Sequence, residues 1–254
     1  MGFRLNIIPL ISGGIAVCGL FSVYELSCTL GHTDSLWPYI SSLGVYAPES
    51  CLFTWFGSLY AILATISQWL WCSCMVHSLL TVGAPVSAFL LIVFMKISTV
   101  VCGLSLIGLF SINMEEANFL HYGFGMTCFV FYLIHLAGSL CLQRYLQSSD
   151  WLWISRAVLT VISICGLTLF VYFNYVALPL FTGEDYYHRR VEDGGYYEFM
   201  TSAVGEWLLV TAMVSYNALL AVDLQGFVID FPTVYQTSSN MELSSVEIRS
   251  MGFA

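Results

Sequence analysis

The chain has 254 residues, of which 58% are hydrophobic and only 9% charged, at a mean hydropathy of +0.81. Soluble domains carry about 25% charged residues, so a water-soluble globule is excluded and the bilayer becomes the expected solvent. Seven Lys and Arg against 16 Asp and Glu give a formal charge of -9, which argues against nucleic acid as a partner, because phosphate contacts need basic patches.

A membrane helix needs about 20 apolar residues. Six apolar segments meet that need, at residues 7–26, 51–71, 94–112, 118–141, 154–178 and 202–222. The first is too long for an ordinary signal-peptide core, and no clean cleavage site follows it, so it is expected as a retained span. Asn6 stands where a myristoylation signal needs Ser or Thr. The third segment has two registers, because residues 75–110 are apolar except for His77, Gly83, Pro85 and Lys96. A span over 86–107 buries Lys96 near the bilayer centre, at a cost of at least about 2.5 kcal/mol. A span over 94–112 lets its stem reach the headgroups instead, and this register is the expected one.

Orientation follows the basic residues. With a cytosolic N-terminus, Arg4, Lys96, Arg144, Arg156 and Arg249 face the cytosol, and only Arg189 and Arg190 face the other side. The expected fold is therefore an all-α, six-transmembrane-helix bundle with both termini cytosolic. It comprises a membrane domain over 1–230 and a Ser-rich tail over 231–254, expected to be disordered and available to a cytosolic partner. The opposite, lumenal or extracellular face is acidic, and the long loops 27–50 and 179–201 lie on it.

Cysteine in apolar runs behaves as a small hydrophobe. Cys72 and Cys74 lack the second pair that a zinc site requires, so no metal and no cofactor is expected. These two are instead candidates for palmitoylation. Cys28 and Cys51, at the ends of the first two spans, either form a disulfide or stay free.

Carboxylates at membrane depth are costly and mark functional sites by default. Glu25, His121 and Glu206, with Trp207 beside the last, form a candidate polar site at the non-cytosolic edge. It reads as a hydrogen-bond network, as a small site for a headgroup, proton or cation, or as an acid–base pair. No nucleophile of fixed spacing accompanies it, so no catalytic residue is assigned and an enzyme is not expected. Arg156 and Asp223 are a candidate pair at the cytosolic edge, either joined or separately solvated. His135, Asn174 and Asn217 read as buried, satisfied polar groups.

The first loop reads Trp37-Pro38-Tyr39-Ile40-Ser41-Ser42-Leu43-Gly44, followed by Ala47-Pro48-Glu49-Ser50 at the start of the second span. This pair of motifs resembles the DRAM (damage-regulated autophagy modulator) branch of the DRAM/Frag/Sfk membrane-protein superfamily. His121 with Gly123 and Gly125, Arg156, Ser202-Ala203, Glu206-Trp207, Asp223 and Gln225 extend the resemblance over residues 7–230 or so. Residues 75–94 are more apolar than that pattern, and no glycosylation sequon is present. The resemblance implies six spans with cytosolic termini and a non-enzymatic protein that modulates autophagy at lysosomal or endosomal membranes. Relatives imply an alternative as a lipid-handling protein: a phosphoinositide-kinase scaffold at the plasma membrane, or a factor remodelling GPI lipids in the Golgi or ER. Membrane lipids are the expected partners. The motif residues Pro38, Tyr39, Ile40, Ser41, Gly44, Pro48, Glu49 and Ser50 are expected either to fold back over the ends of the spans or to form a partner or headgroup surface. A transporter is disfavoured, since no matched pair of broken helices is seen.

Overall fold

The computed structural model describes residues 3–146 and 149–229. Six helices carry the fold: α1 (Ile7–Leu30), α2 (Glu49–Thr81), α3 (Val86–Ser111), α4 (Asn118–Tyr145), α5 (Asp150–Ala177) and α6 (Tyr196–Asp223). All six are long and apolar enough to cross a membrane. Local chemistry sets their ends. Pro9 sits in the first turn of α1, where its missing N–H costs nothing. Gly31, at φ 72°, ends that helix with its own N–H on the Cys28 carbonyl and the His32 N–H on Ser27, the left-handed closure that glycine permits. Pro85 opens α3, since it needs no donor there.

Neighbours in sequence are neighbours in space, and α6 packs on α1 to close the ring while also touching α2. The tightest seam joins α5 and α6. A Cβ on Gly205 would lie 2.5 Å from the Phe170 nitrogen, and one on Gly166 would lie 2.8 Å from the Gly205 carbonyl oxygen, so the two backbones touch as small residues allow in membranes. The core between the helices holds Trp71, Met95, Tyr132, Leu136 and Tyr216. Outside it, Phe21, Trp55, Leu90, Leu104 and Val161 stand exposed, the surface expected where lipid is the solvent.

One feature departs from a purely helical reading. Strand β1 (Phe3–Arg4) pairs antiparallel with β2 (Val228–Ile229), and the Leu5 N–H continues the ladder to the Phe227 carbonyl at 3.1 Å. The two ends of the described chain therefore share one end of the bundle, as an even number of spans requires. The expected tail, 231–254, lies outside the described residues.

Near this end the core is polar. Arg156, fully buried, donates from Nη2 to Asp223 Oδ2, and the Trp71 indole donates to the same oxygen at 2.6 Å. The guanidinium also lies over the Trp71 ring, 5.4 Å from its centroid. The expected pair thus forms, inside the bundle rather than in solvent. Buried His135 meets the Thr99 hydroxyl at 2.9 Å, and Asn174 and Asn217 each use the amide nitrogen while Oδ1 stays without a partner.

The third span is corrected at its start. Helix α3 begins at Val86, not near Phe94, because the segment after Pro85 continues the helix without a break. Lys96 is thus the eleventh residue of this helix rather than lying near its start. Its ammonium lies 5.0 Å from the ring centroid of Trp69. Two residues on, Trp71 reaches Asp223 at the end of α6, so Lys96 is level with the α6 terminus. The α2–α3 hairpin continues past that level by about 15 Å, ten residues of helix at 1.5 Å each.

All nine cysteines are free, so the Cys28–Cys51 disulfide is not formed. Cys28 turns toward the loop, with its sulfur 3.9 Å from the Asp34 carbonyl oxygen, while Cys51 is exposed on the first turn of α2. Cys72 is buried in the core, which removes it as a palmitoylation candidate.

A candidate chamber beneath the first loop

At the distal end, opposite the termini, the first loop folds inward and is fastened to α6. The Ile40 N–H donates to Glu206 Oε2 and the Ser41 hydroxyl to Glu206 Oε1, both at 2.7 Å. The Trp207 indole donates to the Pro38 carbonyl at 2.8 Å. Asn113, after α3, donates to the Val45 carbonyl at 2.7 Å. A short helical turn over Ser41–Gly44 makes this possible by aiming the Ile40 and Ser41 donors the same way. Gly44 is needed there because a Cβ would fall 2.4 Å from the Phe53 ring. Leu43 and Ile40 then pack with Val23 and Phe53 as a small separate apolar cluster.

Beneath the loop lies a chamber of about 80 Å³ walled by apolar side chains, among them Leu20, Phe56, Tyr60, Leu106 and Met213, and also by Ser41, His121 and Glu206. It shares Ser41, Phe53, Phe110 and His121 with a groove of about 700 Å³ between α2 and the α3–α4 turn. His121 is 4% exposed. Its Nδ1 donates to the Ile112 carbonyl at 2.7 Å, so in the neutral ring Nε2 carries the lone pair, and Nε2 has no partner in the protein. The chamber wall therefore includes a buried imidazole whose Nε2 acceptor no protein donor engages. Glu206 is engaged twice and serves as an anchor.

The expected edge site is thus partly assembled. Glu206 and His121 share the chamber, and Trp207 fastens the loop from outside, edge-on to Tyr24 and Trp37 at 6.0 and 6.2 Å between ring centroids. Glu25 is not brought in. Gly19, Val23 and Ser27 form the buried stripe of α1, and Glu25 lies exposed on the other side.

The second half of the loop motif is equally structural. Pro48 precedes α2 after a cis Ala47–Pro48 bond, and the Ser50 N–H reaches the Tyr46 carbonyl at 2.8 Å. Glu49, fully buried, is paired through Oε1 with His32 Nδ1. Sequence spacing gave no sign of this partner, nor of Asn113.

The third loop closes the cap. His188 joins Asp185 Oδ2 and the Gly31 carbonyl, each at 2.9 Å. Burial alone would push the Asp185 carboxyl up, but hydrogen bonds from the Tyr187 N–H and from His188 outweigh it and hold the group below the usual carboxylate range. Burial pushes the Tyr39 phenol up to about 12, against the nearby Arg189 charge.

The model of the Frag1/DRAM/Sfk1/Cwh43P N-terminal domain matches residues 4–227. The chain belongs to this family. Its boundaries fall on the strand pair, from Arg4 in β1 to Phe227 just before β2. No curated protein and no solved structure gives a significant match. In this Frag1/DRAM/Sfk1/Cwh43P domain, the loop motif, Glu206 and His121 form one connected distal structure within a multi-pass membrane protein.

Proposed function

We propose that this membrane domain acts without catalysis, by holding an amphiphile from the distal leaflet in the chamber and groove beneath its first loop. In the cell it modulates autophagy at lysosomal or endosomal membranes. The molecular reading rests on the chamber: an apolar lining that also includes Ser41, His121 and Glu206, and a buried His121 Nε2 without a protein partner. The cellular reading draws on the resemblance of the Trp37–Gly44 and Ala47–Ser50 motifs. The engagement of Glu206 by two loop donors supports a non-catalytic role, because it occupies the carboxylate that acid–base chemistry would use.

Lipid remodelling is the second reading, favoured by the lateral groove that leads to His121. Two measurements separate them. Overexpression should raise autophagic flux, and substitutions at Pro38, Ser41 or Pro48 that loosen the loop should reduce that effect. The purified protein should leave ceramides, phosphoinositides and GPI lipids unchanged. Acyl transfer or hydrolysis abolished by His121→Ala would replace the first reading with the second. Plasma-membrane residence with no effect on flux would favour a phosphoinositide-kinase scaffold, with the residues after Ile229 as the segment offered to the kinase.

A further inference from the structure

On a distal face where carboxylates outnumber Arg189 and Arg190, Arg189 has no counter-ion among the described residues. Its loop carries Glu184, Asp185, Glu192 and Asp193, yet among the described residues no carboxylate forms an ion pair with its guanidinium. Nε donates to the Tyr186 carbonyl at 2.9 Å. The Phe199, Tyr186 and Tyr39 rings surround the group, with centroids 3.3, 4.1 and 5.1 Å from Cζ. No acceptor among the described residues engages its two Nη groups. Arg189 lines a cavity of about 280 Å³ between the first and third loops. Asp34 lines the same cavity, and its carboxylate accepts the Arg189 backbone N–H at 3.1 Å. Trp37, Tyr187 and Tyr196 supply aromatic walls.

Residues 35–38 also wall a second, apolar cavity of about 660 Å³ that descends between α1 and α5 over α6, past Phe21, Leu159 and Ala212. A guanidinium with free donors matches a phosphate. A carboxylate among aromatic faces matches an alkylammonium. The apolar slot beneath them matches a hydrocarbon chain. These three complementarities meet in one class of molecule.

We propose that the cap cavity binds the zwitterionic phosphodiester headgroup of a phospholipid in the distal leaflet. The phosphate sits on Arg189, the amine sits beside Asp34 and the tyrosines, and one acyl chain lies in the groove of α1, α5 and α6. This site is separate from the His121 chamber, and neither reading depends on the other.

The test uses the full chain in an uncharged detergent, supplied with equal amounts of phosphatidylcholine and phosphatidylglycerol, with retained lipid counted by native mass spectrometry. The protein should favour phosphatidylcholine by about tenfold, the scale of one charge-assisted contact. Arg189→Gln should lose both lipids, Arg189→Lys should keep an intermediate amount, and Asp34→Asn should erase the preference while still binding phosphate. Because Arg189 stacks on three rings, a competition on the unaltered protein covers the case of a variant that fails to fold. There, glycerophosphocholine should displace the lipid and glycerophosphoglycerol should not. Equal retention of the two lipids, or an unchanged preference in Asp34→Asn, would overturn the assignment. Glycerophosphocholine binding as tightly as the whole lipid would overturn the bilayer as its source.

Discussion

Both oxygens of Glu206 take a hydrogen bond from the first loop, so Glu206→Ala strips the acceptor from the Ile40 N–H and the Ser41 hydroxyl at once. Leaving buried donors unsatisfied costs about 1–3 kcal/mol each. The variant should melt earlier in detergent, and protease should reach the first loop sooner; an unchanged melting curve would show that the loop is held by packing alone. Asp223 carries a heavier penalty, because Asp223→Asn leaves the buried Arg156 guanidinium uncompensated. Breaking a buried pair from one side costs about 3–5 kcal/mol, and Arg156→Met together with Asp223→Leu should recover much of it. Asp185 gives the pH signature. Its folded carboxyl sits below the ordinary value, so the stability it lends is complete above that value and is lost as pH falls through the folded one. Hydrogen exchange in residues 182–193, corrected for intrinsic rates, should hold steady from about pH 7 to about pH 5 and rise towards about pH 3. Asp185→Asn should flatten that rise.

At the scale of elements, the α5–α6 seam is the place to break the bundle. Gly205→Ala would put a methyl 2.5 Å from the Phe170 nitrogen, a backbone atom that cannot rotate away. The substitution should part the two helices and lower the melting temperature more than Gly123→Ala, where nothing lies within 4 Å of the added carbon. Hydropathy located every helix but misplaced many ends, and the cause is physical. It reports which residues prefer lipid, whereas the backbone stays helical until a Gly31 or a Pro85 intervenes, so α1 runs on to Leu30 and α3 starts at Val86. Glu206 was legible as a carboxylate just inside a span. Glu25 misled because its distance along the helix was read without its angle; Val23 and Ser27 take the inward positions on either side of it. The partners His32 and Asn113 and the rings around Arg189 come from loops with no repeating geometry, so no spacing announces them.

The whole molecule is defined by its two unlike ends. The bias of the basic residues predicts Arg4 and Arg144 in the cytosol and the 182–193 loop on the far side. In cells with only the plasma membrane permeabilised, a label should reach a cysteine placed at Arg144 and be denied one placed at Arg189. Cytosolic labelling of the latter would sink the six-span arrangement. The strand pair adds a mechanical consequence. Arg4 and Val228 are hydrogen-bonded neighbours, so the chain enters and leaves the bundle through one knot. A pull applied to the residues after Ile229, such as a bound cytosolic protein would exert, runs along the chain into α6 and, across the strand pair, through Phe3 and Arg4 into α1. Helix α1 bears Phe21 and Tyr24 of the distal groove and Val23 beneath the loop. Traction on one side of the membrane is thereby coupled to the shape of a pocket on the other.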